Sequence, residues 1–294
     1  MKKFLLTMCV ALLSVIAFAQ YNVIVELIDG TEVRYSAKNV KNIRIEKGDS
    51  TQTDEEVVDA ATSDFTFFIL NDKEAEVISL DFVAATVVNV PAYVRISGKV
   101  YTVTSIGSGS FDYSYNPDLT KIKKVVLPNT IKSIGEYAFK GCTSLTSIVI
   151  PSSVTEIGKW AFDSCLTSIV VDKDNKVYDS RENCNALIET ASNTLIYGCQ
   201  NTVIPNSVTE IGSGAFCECY NLTSINIPNS VTTIGDKAFE FCTSLTSIVI
   251  PESVTEIGEY AFSHCYDLKT ARVPVSLKGK VDYVFPSTCE IEYY

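Results

Sequence analysis

The chain has little of the chemistry that most enzymes and metal sites use. It contains one histidine and one tryptophan among 294 residues. Its cysteines form no C-x-x-C pair, so the usual spacing of a zinc site is missing. A hydrolase needs a base beside a nucleophile, and His264 is the only histidine that could serve. We therefore expect no enzymatic activity, no bound metal and no cofactor.

Positive charge is also scarce. The chain has 24 lysines and arginines against 35 aspartates and glutamates, which gives a formal net charge of −11 at pH 7. An acidic surface repels polyanions, and this argues against nucleic acid and anionic lipid as partners. After residue 18 no apolar run is long enough to cross a bilayer.

The first residues are typical of a secretory signal peptide. Two lysines, Lys2 and Lys3, precede an apolar run over residues 4–18, and the run ends in the small-x-small triplet Ala17-Phe18-Ala19. We expect cleavage after Ala19, so that residues 1–19 are a signal peptide. The mature chain is then secreted or held at the cell surface, with a periplasmic location as an alternative.

A 23-residue internal repeat dominates the rest of the chain. Four segments are nearly identical: LTSIVIPSSVTEIGKWAF from Leu145, IPNSVTEIGSGAF from Ile204, LTSINIPNSVTTIGDKAF from Leu222 and LTSIVIPESVTEIGEYAF from Leu245. Prolines and phenylalanines keep the same phase: Pro128, Pro151, Pro205, Pro228, Pro251 and Pro274, with Phe139, Phe162, Phe216, Phe239, Phe262 and Phe285. The period predicts stacked copies of one small structural unit.

Each unit can be interpreted physically. Its inward strand positions have the L-x-x-L-x-L spacing of a leucine-rich repeat strand, as in Leu145, Ile148 and Ile150. Pro151 ends the strand because proline cannot donate to a ladder. Gly158 is expected to permit a turn, after which Ala161 and Phe162 point inward. One unit cannot bury this apolar set alone, so the copies must stack, with parallel strands about 4.8 Å apart.

The cysteines follow the same phase. Ten cysteines in an exported chain would suggest disulfides, but five of them come three residues after an in-phase phenylalanine: Cys142, Cys165, Cys219, Cys242 and Cys265. Stacked copies would hold their Cβ atoms parallel rather than facing one another. We therefore predict free, buried thiols at these ladder positions. A bridge between Cys184 and Cys199 remains an alternative outside the ladder.

One stretch, residues 172–204, breaks the phase. Its apolar runs at 186–190 and 194–198 flank Ala191-Ser192-Asn193, which predicts a hairpin projecting from the array. Such an irregular unit either carries binding specificity or is a tolerated insertion. The acidic residues Asp172 and Asp174 faintly suggest calcium, but a polar turn fits them better.

The flanking regions are predicted to be mainly β structure. Residues 20–50 hold two β runs, 23–28 and 40–45, with an Asp29-Gly30 turn signal, and are expected to form a small separate element. Residues 51–64 are acidic and predict a linker. The array then occupies residues 65–294, with an N-terminal β cap over 65–104 and a C-terminal cap over 275–294.

Two surfaces of the array are candidates for binding a protein partner. Outward strand positions form a face of small, mostly uncharged side chains that includes Val126, Val149, Val170, Asn226, Val249 and Arg272. The position before the in-phase alanine holds three aromatic residues, Tyr137, Trp160 and Tyr260, and aromatics dominate interface hot spots. The alternatives are simple strand stacking for the face and packing between repeats for the aromatic rings.

The motif LTSI-x-IP-x-SVT-x-IG-x-x-AF-x-x-C resembles the BspA-type leucine-rich repeats of bacterial and protozoan surface proteins, over roughly residues 105–285. The inserted stretch and the signal ending in Phe18-Ala19-Gln20 resemble proteins of Bacteroidetes. The resemblance implies a solenoid and an adhesin-like role, with host matrix or other cell-surface proteins as partners. Two other functions stay open: a secreted or periplasmic enzyme with its site on residues 172–204, or a purely structural envelope component.

Overall fold

The computed structural model describes residues 22–26, 32–36, 57–81, 86–114, 116–162, 166–281 and 283–294, and these belong to two compact units, within 1–52 and 53–294. In the first unit, β1 (Asn22–Glu26) pairs antiparallel with β2 (Glu32–Ser36). The predicted run at 23–28 overlaps β1, but its partner β2 was not predicted. The proposed signal peptide at 1–19 and the run at 40–45 lie outside the described residues.

The second unit begins with strands from the expected linker and from the region that precedes the repeats. They are β3 (Val57–Asp59), β4 (Phe65–Ile69), β5 (Glu74–Leu80), β7 (Tyr93–Ile96) and β8 (Lys99–Ile106). A 3-10 turn, Ala60–Thr62, follows β3. The linker prediction is therefore wrong from residue 57 onward, because the half-buried Val57 and Val58 pair parallel with β7.

The longer strands of the repeat units lie in two sheets. The first orders β6 (Val87–Asn89), β9 (Lys124–Val126), β11 (Ser147–Ile150) and β13 (Ser168–Val171) in parallel. The second holds β19 (Ser247–Val249), β21 (Thr270–Val273) and β22 (Glu290–Tyr293), also parallel. Buried and exposed residues alternate along these strands, as expected for a sheet with one face on the core.

A short second strand in each unit builds another side of the stack. β10 (Ser133–Ile134) and β12 (Glu156–Ile157) extend the N-terminal sheet from β8. β17 (Glu210–Ile211), β18 (Thr233–Ile234) and β20 (Glu256–Ile257) continue in the same way after the insertion. Ile211, Ile234 and Ile257 stand opposite one another, one repeat apart. The register of the sheet therefore equals the period of the sequence.

Tight turns connect the strands of a unit. The prolines accept a backbone hydrogen bond from the residue three positions later, as Pro151 does from Val154 at 3.2 Å. The glycine after each short strand is required for a reason other than the turn that the sequence suggested. A Cβ on Gly235 would lie 2.6 Å from the backbone nitrogen of Ser213 in the preceding unit. Glycine is needed there because two backbone segments, from neighbouring repeat units, approach closely.

Phenylalanine rings stack along the core of the array. Ring centroids are 4.9 Å apart between Phe216 and Phe239, and again between Phe239 and Phe262. This spacing matches that of neighbouring strands, so the side chains repeat at the pitch of the sheet. The first half of the array continues the pattern at 4.9 Å between Phe111 and Phe139 and 5.7 Å between Phe139 and Phe162.

The insertion is built into the stack and does not project from it. Its strands are β14 (Tyr178–Asp179), β15 (Leu187–Glu189) and β16 (Thr194–Tyr197), with a 3-10 turn at Arg181–Asn183. β15 and β16 form the predicted hairpin, but β16 also pairs parallel with β17. Ile188 and Leu195 are fully buried. The projecting geometry was wrong because the insertion contributes buried side chains to both halves of the core: Leu187 packs in the first half, and Ile188 and Leu195 pack in the second.

The remaining 3-10 turns are Pro117–Lys121 and Val275–Leu277. The last strand, β22, adds to β21, and the Tyr294 hydroxyl donates to the Ile250 carbonyl at 2.8 Å. Within the described ranges no α-helix occurs, and these residues are rich in strands.

Candidate functional site

The outward strand positions form one exposed apolar row on the first sheet. Val126, Val149 and Val170 are 40%, 54% and 45% exposed. Val149 and Val170 stand directly opposite each other, and Ser147 opposite Lys124 places Val126 next in the same row. We call these three residues the valine row. It presents β-branched side chains at the pitch of the strands, without charge.

The other predicted face residues do not belong to this row. Val249 and Arg272 pair on the separate three-stranded sheet, and Asn226 is exposed outside any strand. The Arg272 guanidinium lies 4.7 Å from the ring centre of Tyr294 and 3.5 Å from a Glu292 carboxylate oxygen. The single continuous face expected from the repeat is therefore divided between two sheets.

The pre-alanine positions form a second surface, the aromatic edge, made of Tyr137, Trp160 and Tyr260. Tyr137 and Trp160 stack with centroids 5.4 Å apart and planes inclined by 11°. Tyr260 lies beyond the insertion and is 47% exposed. All three have positive φ, between 51° and 59°, as does Lys237 at the same position. Gly214 occupies this position in the first unit after the insertion, with φ of 67°.

The insertion shortens the turn that carries this edge. Leu195 stands opposite Ile211, and the Gly198 nitrogen donates to the Ala215 carbonyl, as Phe216 does to Ala238. Gly198 therefore takes the place of a phenylalanine after only three residues instead of five. The two missing residues include the pre-alanine position. Tyr197 partly fills the core instead, with its ring edge-on to Phe162 and its hydroxyl bonded to the Phe162 carbonyl.

A cavity of about 240 Å³ opens where the turn is shortened. Among the described residues, both aromatic and charged side chains line it: Tyr137, Lys140, Trp160, Phe162, Tyr197, Cys217, Glu218, Lys237 and Glu240. The indole nitrogen of Trp160 would lie 3.1 Å from a Cβ on Gly214, so a larger residue at 214 would press on the indole. Glu218, Lys237 and Glu240 were not predicted as site residues, because the two-residue deficit that creates the cavity appears only when Gly198 is aligned with Phe216.

The charges beside this cavity are only loosely paired. Glu240 has a side chain 12% exposed and lies 3.5 Å from the Lys237 ammonium and 3.7 Å from Nδ1 of His264. Both distances exceed those of a good hydrogen bond. Burial, with the nearby Glu218 and Glu240 carboxylates, raises the pKa of the Cys217 thiol to about 12, so this thiol is protonated at neutral pH.

Asn175 attaches the insertion to the preceding unit. It is 8% exposed, and its amide group makes four hydrogen bonds. The nitrogen donates to the carbonyls of Pro151 at 2.8 Å and Val154 at 2.9 Å. The oxygen accepts from the backbone nitrogens of Val177 and Tyr178, both at 2.9 Å. The faint calcium motif is thus a polar turn, in which Asp172 also accepts from the Asp174 nitrogen.

Arg181 ties the same insertion to the following unit. Its guanidinium makes a two-point ion pair with Asp179, at 2.7 and 2.5 Å, and donates to Asn193 at 2.8 Å and Ser207 at 3.3 Å. Burial alone would raise the pKa of Asp179, but the Arg181 hydrogen bonds outweigh it and lower that pKa. These polar groups of the insertion are engaged with one another, as expected for a structural junction.

The ladder cysteines that the structure describes are buried and form no disulfide, as predicted: Cys142, Cys219, Cys242 and Cys265. Cys165 lies outside the described residues. The Cys242 and Cys265 thiols donate to phenylalanine carbonyls of the preceding unit at 3.2 and 3.1 Å. Hydrogen bonding to Cys265 and burial raise the pKa of Cys242. Cys184 and Cys199 are also free thiols, so the structure does not contain the bridge between them.

His264 is exposed, as expected for a surface position. Its ring stacks on Phe241 at 4.3 Å, and Nδ1 lies 3.0 Å from the Ser263 hydroxyl. Over the part of the chain that the structure describes, no group of three or more histidine, cysteine or acidic residues is arranged to hold a metal ion. In the same residues no helix is long and apolar enough to span a membrane.

An open groove of about 790 Å³ also lies at the N-terminal end of the array. Polar residues line it, among them Asn71, Thr104, Asn129 and Thr155, and the 2.6 Å ion pair between Lys132 and Glu74 borders it. This groove was not predicted from the sequence because β5 and the repeats meet there only in the folded chain.

A family model described as the BspA type leucine rich repeat region, in six copies, matches residues 104–196 and 192–294. No curated protein sequence gives a significant match. The chain is similar to a leucine-rich cell surface protein from Faecalibacterium prausnitzii, at 20% identity over 78% of this chain and 93% of that one, with a TM-score of 0.40. A leucine-rich repeat protein from Eubacterium ventriosum is 25% identical over 74% of each chain, with a TM-score of 0.46. The pneumococcal vaccine antigen PcpA is 16% identical over 78% of this chain and 86% of that one, with a TM-score of 0.43.

Proposed function

The chain belongs to the family of BspA-type leucine-rich repeat proteins, and we propose that it acts outside the cell as a non-catalytic binding protein. Its partners are extracellular proteins, such as host matrix proteins or proteins on other cells. The parallel register of the units supports a solenoid, with residues 65–104 and 275–294 as its caps. The basic and apolar start of the sequence supports export through a signal peptide at residues 1–19.

The valine row is the observation that carries this proposal. Three neighbouring strands each present a valine that is between 40% and 54% exposed, in one line. Contiguous exposed apolar surface commonly marks a site of protein interaction. A net charge of −11 makes nucleic acid an unsuitable partner for the same molecule. A protein partner therefore fits the row better than a polyanion does.

The aromatic edge supports the same proposal from another side of the array. Trp160, Tyr137 and Tyr260 are residue types that anchor protein interfaces. The polar groups of the insertion support a structural role for it, because Asp179, Arg181 and Asn193 bond to one another. We therefore place binding on the array, at the valine row and the aromatic edge, and not on residues 172–204.

A binding assay with purified protein tests the proposal. The protein is passed over immobilised extracellular matrix proteins and over bacterial and host cell surfaces, and binding is followed by surface plasmon resonance. The triple variant Val126→Thr, Val149→Thr, Val170→Thr keeps β-branched shape but loses apolar surface. We expect it to weaken binding by roughly tenfold, because the removed methyl groups no longer leave water on binding.

The matched control is Val203→Thr, which changes a valine that is 73% exposed in the insertion, away from the row. It should bind like the unchanged protein. Thermal unfolding of all variants separates lost binding from lost stability. Failure of the unchanged protein to bind any presented protein or surface would contradict the proposed function.

A further inference from the structure

The cavity at the shortened unit has the chemistry of a receptor for a single side chain. It lies at one end of the Tyr137–Trp160 stack, where the missing pre-alanine residue leaves a gap. Its volume of about 240 Å³ suits one long side chain rather than a peptide segment. The gap exists because the turn from Leu195 to Gly198 is two residues shorter than in the other repeat units, so it is encoded in the sequence.

One wall of the cavity is aromatic and attracts cations. The Trp160 indole is stacked on the Tyr137 ring, and Lys140 lies 5.2 Å from the centre of that ring. Lys140 thus already uses the cation–π attraction of Tyr137. A cation within about 6 Å of an aromatic face is attracted by the ring, and tryptophan attracts it most strongly.

Two carboxylates, Glu218 and Glu240, also line the cavity. Glu240 is nearly buried, yet its contacts with Lys237 and His264 are 3.5 and 3.7 Å. These contacts leave room for a donor at proper hydrogen-bond distance. The chain as a whole is acidic, which favours an incoming cation and disfavours an anion.

We propose that this cavity receives an arginine side chain from a protein partner, with the guanidinium stacked on Trp160 and bonded to Glu218 and Glu240. Arginine fits both the aromatic and the acidic residues of this lining because its guanidinium is planar, stacks on aromatic rings and donates to carboxylates at two points. Lysine offers a point charge and cannot pair in this bidentate way. The inference rests on the proposed function and names the chemistry that the aromatic edge recognises.

Trp160 makes the test direct because it is the only tryptophan of the chain. The purified protein is titrated with Nα-acetyl-arginine methylamide while the tryptophan emission is recorded. The matched probe is Nα-acetyl-citrulline methylamide, which has the same shape without the charge. We expect a saturable change at millimolar arginine derivative, with citrulline binding about tenfold more weakly. Free Nα-acetyl-tryptophanamide measures collisional quenching.

Charge removal gives a second readout that does not depend on folding of the core. Glu218→Gln should weaken arginine binding by roughly threefold, as for an ion pair at a partly exposed site. Glu256→Gln removes an exposed carboxylate on β20 and should leave binding unchanged. Equal binding of citrulline and arginine, or an unsaturable response, overturns the proposal. Saturable binding of glucose without arginine binding would assign the cavity to a saccharide and also overturn it.

The two proposals fail in different ways. If the protein binds an extracellular protein but free arginine derivative neither alters Trp160 emission nor competes, the cavity inference is wrong and the proposed function stands. If arginine saturates the cavity but no presented protein binds, the cavity stands and the proposed function loses its support.

Discussion

Replacing Asn175 by alanine should destabilise the protein more than any exposed polar change. The substitution removes four hydrogen bonds of 2.8 to 2.9 Å at a residue that is 8% exposed. A typical internal hydrogen bond contributes about 1 kcal/mol net, and a buried group left without a partner costs about 1–3 kcal/mol. Two backbone N–H groups lose their acceptor. We therefore expect a loss of about 4 kcal/mol.

Urea unfolding followed by far-UV circular dichroism and by Trp160 emission measures this loss. With a slope of about 3 kcal/mol per molar urea, the midpoint should fall by about 1.3 M. Asn229→Ala, in an exposed turn of a regular unit, is the control and should shift the midpoint by less than about 0.2 M. A loss below about 1 kcal/mol for Asn175→Ala would show that the amide does not hold the insertion, and the reasoning would be refuted.

Three further predictions concern the insertion, the backbone and the thiols. Arg181→Met should lower the free energy of unfolding by about 2 kcal/mol at pH 7. Calorimetry at several pH values should show this difference in stability from the unchanged protein becoming smaller in acid. The reason is that the lowered pKa of Asp179 stabilises the folded state above the unfolded pKa of about 4, and this stabilisation is lost as the pH falls through the folded pKa. Equal loss at pH 3 and pH 7 would contradict it. Tyr260→Gly should be more stable than Tyr260→Ala by about 1 kcal/mol in urea titrations, since φ of 59° strains alanine but not glycine; the usual order, with alanine more stable, would count against the described backbone. Cys184 of the native protein at pH 8 should react with a thiol reagent at least about a hundredfold more slowly than Cys184 of urea-unfolded protein, because burial raises its pKa to about 11; rapid native labelling of Cys184 would argue against this burial.

The repeat phase predicted most of the core because stacking places equivalent residues in equivalent surroundings. The buried Phe216 and Phe239 and the free thiols of Cys242 and Cys265 follow directly from that rule. The reason for the glycine after each short strand did not follow. Contact with the preceding unit, as at Gly235, is a property of two units and is invisible within one.

The insertion was harder to predict for the same reason. Its hairpin pattern is local, so the pairing of β15 with β16 could be inferred from the sequence. The pairing of β16 with β17 depends on Leu195 lying opposite Ile211, which requires the register of the whole stack. The cavity could not be predicted for the same reason, because the two-residue deficit is visible only once Gly198 is known to replace a phenylalanine position.

Backbone strain at the aromatic edge bears on whether its rings serve packing or binding. A non-glycine residue in the left-handed region costs about 1–2 kcal/mol, and Gly214 shows that the position accepts glycine. Tyr137 and Trp160 offset that cost by stacking, since an aromatic pair contributes about 0.5–1.5 kcal/mol. Tyr260 is 47% exposed, so burial of its ring offsets less of this conformational cost. Strain that folding does not repay is commonly found at functional positions. Stacking therefore offsets the backbone strain at Tyr137 and Trp160, and the uncompensated strain at Tyr260 supports the proposed binding role of the aromatic edge.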